Sequence, residues 1–135
     1  MSIATTPLDP DLCTGHLQID ADHVELLSQL AKLKEALDGG SGREKTVDMI
    51  VTLQKYTLGH FAREEEHMVR VNCPSLTRNI AAHREFSRRV ENWLDLLTVS
   101  GAPVSILLDV HREATAWIRA HIIGIDCGLR GCVHR

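Results

Sequence analysis

The chain has 135 residues and carries 15 Lys and Arg against 18 Asp and Glu, a formal charge of −3. That length suits one domain closing one hydrophobic core, and the dispersed, mildly acidic charge argues against nucleic acid or an anionic membrane as partner. Apolar runs fall short of the roughly 20 residues that span a bilayer, and the opening "MSIATTPLDPD" lacks the basic start and apolar stretch of a secretory signal, so a cytoplasmic location is expected.

Aromatic residues make up only 4% while Leu, Ala, Glu and Arg dominate, a composition that points to helices. Cys13, Cys73, Cys127 and Cys132 read as reduced thiols, because a helical domain of this size in a reducing compartment needs no disulfide.

Residues 1–19 read as an N-terminal arm. From Asp20, a fitting N-cap, the residues His23, Leu26, Leu30, Leu33 and Leu37 follow steps of three and four, one helical stripe that Gly39-Gly40 ends. "SGRE" at 41–44 has the spacing of a capping box, with Ser41 as cap and Glu44 three residues on. A second stripe then runs Ile50, Leu53, Thr57, His60, Glu64 and His67, and must stop near Cys73 because Pro74 cannot continue it.

The third stripe takes Leu76, Asn79 or Ile80, His83, Phe86, Val90, Trp93 and Leu97, until "SGAP" at 100–103 breaks it. The fourth takes Leu107, Val110, Ala114, Trp117 or Ile118, His121 and Ile125, and ends at "DCG". Four helices with short connections predict an all-α, antiparallel up-down-up-down four-helix bundle over residues 20–126, preceded by the arm and followed by a tail at 127–135.

The polar residues on these apolar stripes carry the functional signal. His23, His60, Glu64, His83 and His121 share faces otherwise filled by Leu, Val, Phe and Trp, so each helix brings an imidazole to the core. One such histidine is ordinarily a satisfied core residue. Burying several unpaired imidazoles with a carboxylate costs several kcal/mol in desolvation, so a shared cation is the economical explanation. Nitrogen and carboxylate donors without a thiolate cluster suit iron, manganese or zinc. The spacing of His60 and Glu64 sets them side by side, where the carboxylate could bridge two ions. Asp126 lies five residues after His121, which does not share a straight helical face, and would need a π-bulge or unwound end at Gly124 to join them.

Four segments, "IDADH" (19–23), "HFAREEEHM" (60–68), "AAHREF" (81–86) and "WIRAHIIGID" (117–126), resemble the ligand motifs of the bacterial hemerythrins, in order and at fitting separations. The resemblance covers the chain from about Gly15 to Asp126. It implies a four-helix bundle holding two Fe ions, an oxo- or hydroxo-bridged non-haem centre that binds O2 reversibly. Carried over by motif, His23 and His60 would ligate the iron that takes up O2, His83 and His121 the other, and Glu64 and Asp126 would bridge. Leu26, Phe61, Trp117 and Ile118 would line a dry pocket around the gas, and exclusion of water and protons would slow irreversible oxidation of the irons.

The chain departs from the family where a histidine pair spaced four apart is expected in the third helix, because Asn79 stands in the first place. A carboxamide oxygen is a weak neutral donor, so Asn79 would bind poorly, hold a water or not bind, leaving the second iron an open position. His67, seven residues after His60, competes as a substitute nitrogen. It sits roughly 10 Å farther along the helix, so it reads first as a bundle-end residue. His16, His111 and His134 fit no ligand motif and read as surface or loop residues. Glu65 and Glu66 read as a solvated flank, the "CGLRGCVH" segment at 127–134 as a ragged end matching no zinc pattern, and Cys73 as a small buried apolar residue.

Three readings follow. The first is an O2 carrier, store or sensor, the sensor needing a separate signalling or reductase partner. The second is an enzyme, a di-iron oxidase or peroxidase acting through the extra open position, or a sensor of NO or peroxide; azide, NO and peroxide are the small ligands such a site admits. The third, a metal-free bundle with buried histidines, does not allow loss of helicity or stability on chelation.

Overall fold

The computed structural model of the chain describes Thr14 and residues 16–124. Four helices follow one another: α1 (Leu17–Asp38), α2 (Arg43–Arg70), α3 (Leu76–Ser100) and α4 (Val104–Gly124), with no strand among the described residues. The loops at 39–42, 71–75 and 101–103 are too short to do more than reverse direction, so neighbours pack antiparallel. The close pairs are α1 with α2, α2 with α3, α3 with α4, and α4 back on α1, which closes the expected bundle. Among the described residues no helix is long and apolar enough to cross a membrane.

The helix ends differ from the expected ones at two places. Asp20 is not the N-cap of α1: the helix begins three residues earlier, and His16 caps it by accepting the Ile19 amide at 3.2 Å on Nδ1. Asp20 instead reaches back from the first turn, where its Oδ1 accepts both the amide and the hydroxyl of buried Thr14 at 2.7 Å. Ser41 does not cap α2 either. Its amide closes the end of α1 on Ala36 O at 2.9 Å, which leaves Gly42 at the cap position with no side-chain hydrogen bond. Glu44 still stands in the first turn, where its charge suits the positive end of the helix dipole.

α3 ends at Gly101, whose φ of 77° is the left-handed conformation that a glycine takes without strain. The Gly101 carbonyl accepts from Arg43 Nη1 at 2.6 Å, which ties the start of α2 to the turn between α3 and α4.

The core is layered along the bundle axis. Leu33, Leu37, Ile50, Leu97, Ala102, Leu107 and Val110 close one end. Leu26, Leu30, Leu53, Phe61, Phe86, Val90, Ala114, Ile118 and Ile122 fill the middle. Ile19, Met68 and Cys73 close the other end, where Cys73 is a buried free thiol. A polar layer lies between the last two.

Candidate metal centre

Every helix contributes to that polar layer, α1 and α4 one stripe position each and α2 and α3 two: His23 from α1, His60 and Glu64 from α2, Asn79 and His83 from α3, His121 from α4, all buried. Burial of this many polar groups at one level is possible because they face each other. Glu64, with no exposed surface, lies at the centre. Its Oε2 is 3.3 Å from His60 Nε2 and 3.6 Å from His23 Nε2, and its Oε1 is 3.1 Å from His83 Nε2. Two groups therefore share one carboxylate: His23, His60 and Glu64 on one side, Glu64, His83 and His121 on the other, the donor atoms of each within 4.8 Å of one another. Asp126 lies outside the described residues, as do Cys13, Cys127, Cys132 and His134.

Two of the imidazoles are held from behind. His60 Nδ1 contacts Asp22 Oδ2 at 2.9 Å, and His83 Nδ1 contacts Glu65 Oε2 at 2.7 Å. An ionised carboxylate only accepts, so each Nδ1 carries the proton and each Nε2 is turned toward Glu64 with its lone pair. A lone pair and a carboxylate oxygen facing each other at 3.1–3.3 Å in a dry layer repel unless a cation or proton lies between them. Without a metal, burial would push the His60 imidazolium pKa down, but the hydrogen bonds to Asp22 and Glu64 outweigh it and raise the pKa. A divalent ion would supply the positive charge that this proton otherwise brings, and two imidazoles with a carboxylate on each side are an appropriate donor set for it.

Asp22 was not evident from the sequence as part of this site. It has no exposed surface, and burial alone would raise its pKa, but hydrogen bonds with His60 and Arg63 draw it well below the usual carboxylate range. Arg63 Nε reaches Asp22 Oδ2 at 2.9 Å and Nη2 reaches Oδ1 at 3.0 Å, while Tyr56 OH at 3.0 Å and Gln18 Nε2 at 3.1 Å also donate to Oδ1. The same carboxylate and its own burial push the Tyr56 phenol up to about 12, burial being the larger cause. Glu65, expected as part of a solvated flank, is instead the partner of His83; Glu66 is exposed as expected. The one sequence signal for either was an acidic residue directly beside a stripe position, at Asp22 before His23 and at Glu65 after Glu64.

Asn79 sits in the polar layer with no exposed surface and donates through Nδ2 to Glu64 Oε1 at 2.6 Å and to Met68 Sδ at 2.9 Å. Its Oδ1 is buried without a hydrogen-bond partner. His67 belongs to neither donor group. It packs on the ring of His16 with centroids 4.1 Å apart, and burial first, then His16 and Arg70, push its pKa down. His16 is thus a helix cap and ring partner rather than a loose surface residue, and His111 likewise bonds to Leu30 O at 2.9 Å through Nε2.

Aromatic rings wall the layer. Phe61 stacks on His83 with centroids 3.7 Å apart and Trp117 on His121 at 4.6 Å, and Phe86 lies on Trp117 at 4.3 Å. Leu26 and Ile118 belong to the same apolar cluster as Phe61, with Trp117 packed against it, so the expected pocket residues come together beside the histidines.

No curated protein matches the chain. A family model described as the hemerythrin HHE cation binding domain matches residues 14–127, which spans all the described helices and both donor groups. With that match over most of its length, and with histidines from four helices gathered on one glutamate, the chain belongs to the hemerythrin HHE cation-binding domain family.

Proposed function

We propose that this protein holds two iron ions and binds O2 reversibly. The observation that carries the reading is the pair of donor groups that share Glu64, each with two imidazoles. His23 and His60 would hold one ion and His83 and His121 the other, with Glu64 between them and Asp126, by its motif, as a second bridge. When bound, a pair of ferrous ions supplies the electrons that reversible O2 binding draws on. The chain's own residues orient and insulate. Asp22 and Glu65 fix the ring orientation and tautomer of His60 and His83. Phe61, Trp117, Leu26 and Ile118 keep the surroundings apolar, which slows the entry of water and protons that would leave the irons oxidised.

A second reading is favoured by Asn79. With its amide nitrogen bonded to Glu64 Oε1, it stands as a support of the carboxylate rather than as a third nitrogen donor on the His83 side. An open position there would admit azide, NO or peroxide and turn the centre toward sensing, or toward oxidase or peroxidase chemistry with a reductase or signalling partner.

The test is the optical spectrum of anaerobically Fe(II)-loaded protein, with iron counted per chain, as O2 is added and then removed. A band that appears and disappears with two irons present supports reversible binding. A band that decays to a lasting ferric spectrum supports the redox or sensing reading, and failure to retain iron overturns both.

A further inference from the structure

We propose that Arg63 is a charge clamp on Asp22 that sets how strongly His60 donates to the metal, a positioning role that rests on the di-iron reading above. The two described carboxylate supports of the site are built differently. Glu65 is partly exposed and bonds His83. Asp22 is fully buried and shares its charge among His60, both arms of the Arg63 fork, Tyr56 and Gln18. A bare buried carboxylate pulls the Nδ1 proton toward itself and gives the imidazole partial imidazolate character, which raises its donor strength. A bidentate guanidinium on the same carboxylate cancels that pull. His60 is thereby held in one tautomer while donating less strongly than a bare carboxylate at Asp22 would make it.

The helix around Arg63 is built to seat it. Gly59, one turn before Arg63 and inside α2, costs helix stability relative to alanine. A Cβ there would lie 3.3 Å from Arg63 Nη1, so the absent side chain leaves the guanidinium its place. The guanidinium also lies 5.5 Å from the centre of the Tyr56 ring, which holds its outer face while Tyr56 OH bonds the same Asp22. A salt bridge needed only to join α1 to α2 would not require the fork to end on a carboxylate that supports a candidate ligand.

Arg63→Gln and Arg63→Lys separate charge from geometry. The readouts are Zn(II) affinity by competition with a chromophoric chelator, the His60 Nδ1 proton resonance of the Zn(II)-loaded protein, and the ferric-to-ferrous ratio of iron-loaded protein at a fixed ambient potential. The expected result for Arg63→Gln is several-fold tighter Zn(II) binding, a downfield shift of the His60 proton and a several-fold larger ferric share. Arg63→Lys, which keeps the charge and loses the fork, should stay close to the parent in all three. Weaker Zn(II) binding in both variants, with no shift of the His60 proton, would show that Arg63 only fixes geometry and would overturn the proposal. Should Arg63→Gln not fold, Arg63→Lys decides alone, since parent-like values support the charge role and lost affinity rejects it. The Zn(II) readouts stand even if iron-loaded protein shows no reversible O2 band, so the clamp and the O2 function fail separately.

Discussion

Asn79 donates its amide to Glu64 Oε1 at 2.6 Å, on the same oxygen that faces His83 Nε2 at 3.1 Å. A group that spends its nitrogen on the shared carboxylate steadies that carboxylate and withdraws some of its electron density from the His83 side. Asn79→Ala should therefore weaken metal retention as loss of an outer support does, by about 10–100-fold. Asn79→His should add a nitrogen donor, reduce the number of azide ions bound per centre and slow the oxidation of the ferrous protein. Metal counts per chain and azide titration of each variant check this; an Asn79→Ala protein with parent affinity would leave Asn79 no part in holding Glu64.

Asp22 has a separate consequence for stability. Its pKa in the folded metal-free protein lies below the ordinary 3.8, so the unfolded chain binds its proton first as pH falls. Its stabilisation is present in full above that ordinary value and is lost as pH drops from about 3.8 downward. Asp22→Asn should lower stability near neutral pH and flatten the decline of Tm below pH 4 relative to the parent chain, measured on metal-free protein by circular dichroism. In the metal-loaded protein the same change should cost about 10–100-fold in affinity, because a neutral amide holds the His60 Nδ1 proton more weakly than the carboxylate it replaces.

The stripes were readable because burial imposes a period of 3.6 on whatever side chain occupies the face, polar or not; His23, His60, Glu64, His83 and His121 follow that rule and all reach one layer. Asp22 and Glu65 act across helices, on His60 and His83, and a pairing between residues 38 or 18 positions apart leaves no periodic mark in one sequence. The helix starts were misplaced for a local reason. Several residues near each start can cap, and the outcome depends on which groups are already taken, as the Ser41 amide is by Ala36 O and the Asp20 carboxylate is by the Thr14 amide and hydroxyl. Cys73 was legible as a small buried apolar residue from its type alone, since a free cysteine packs as a small hydrophobe.

His67 tests the boundary of the site. It is buried against His16, its Nε2 has no hydrogen-bond partner, and it shares neither donor group. His67→Leu should leave metal per chain unchanged. The lost ring contact and the removal of an unsatisfied nitrogen act in opposite directions, so stability should move by no more than about 1 kcal/mol. Elemental analysis and a thermal melt are sufficient, and a halved metal content would place His67 among the ligands.

Phe61 connects the core to the centre. Its ring lies parallel to His83 at 3.7 Å, 10° from coplanar, and it also meets the edges of Phe86 and Trp117. Phe61→Ala removes that wall and should cost about 3–5 kcal/mol of stability, with His83 left free to tilt off Glu64. Phe61→Leu keeps most of the volume and loses only the stacked face, so its cost should be much smaller. If the ring's task is to exclude water, the oxidation rate of ferrous protein should rise in both variants and rise more in Phe61→Ala, the larger opening. If its task is only to hold His83, Phe61→Leu should oxidise at the parent rate while the Fe(II) affinity falls. Stopped-flow oxidation and anaerobic Fe(II) titration of the two variants separate these outcomes, because water entry and ring orientation alter different measurements.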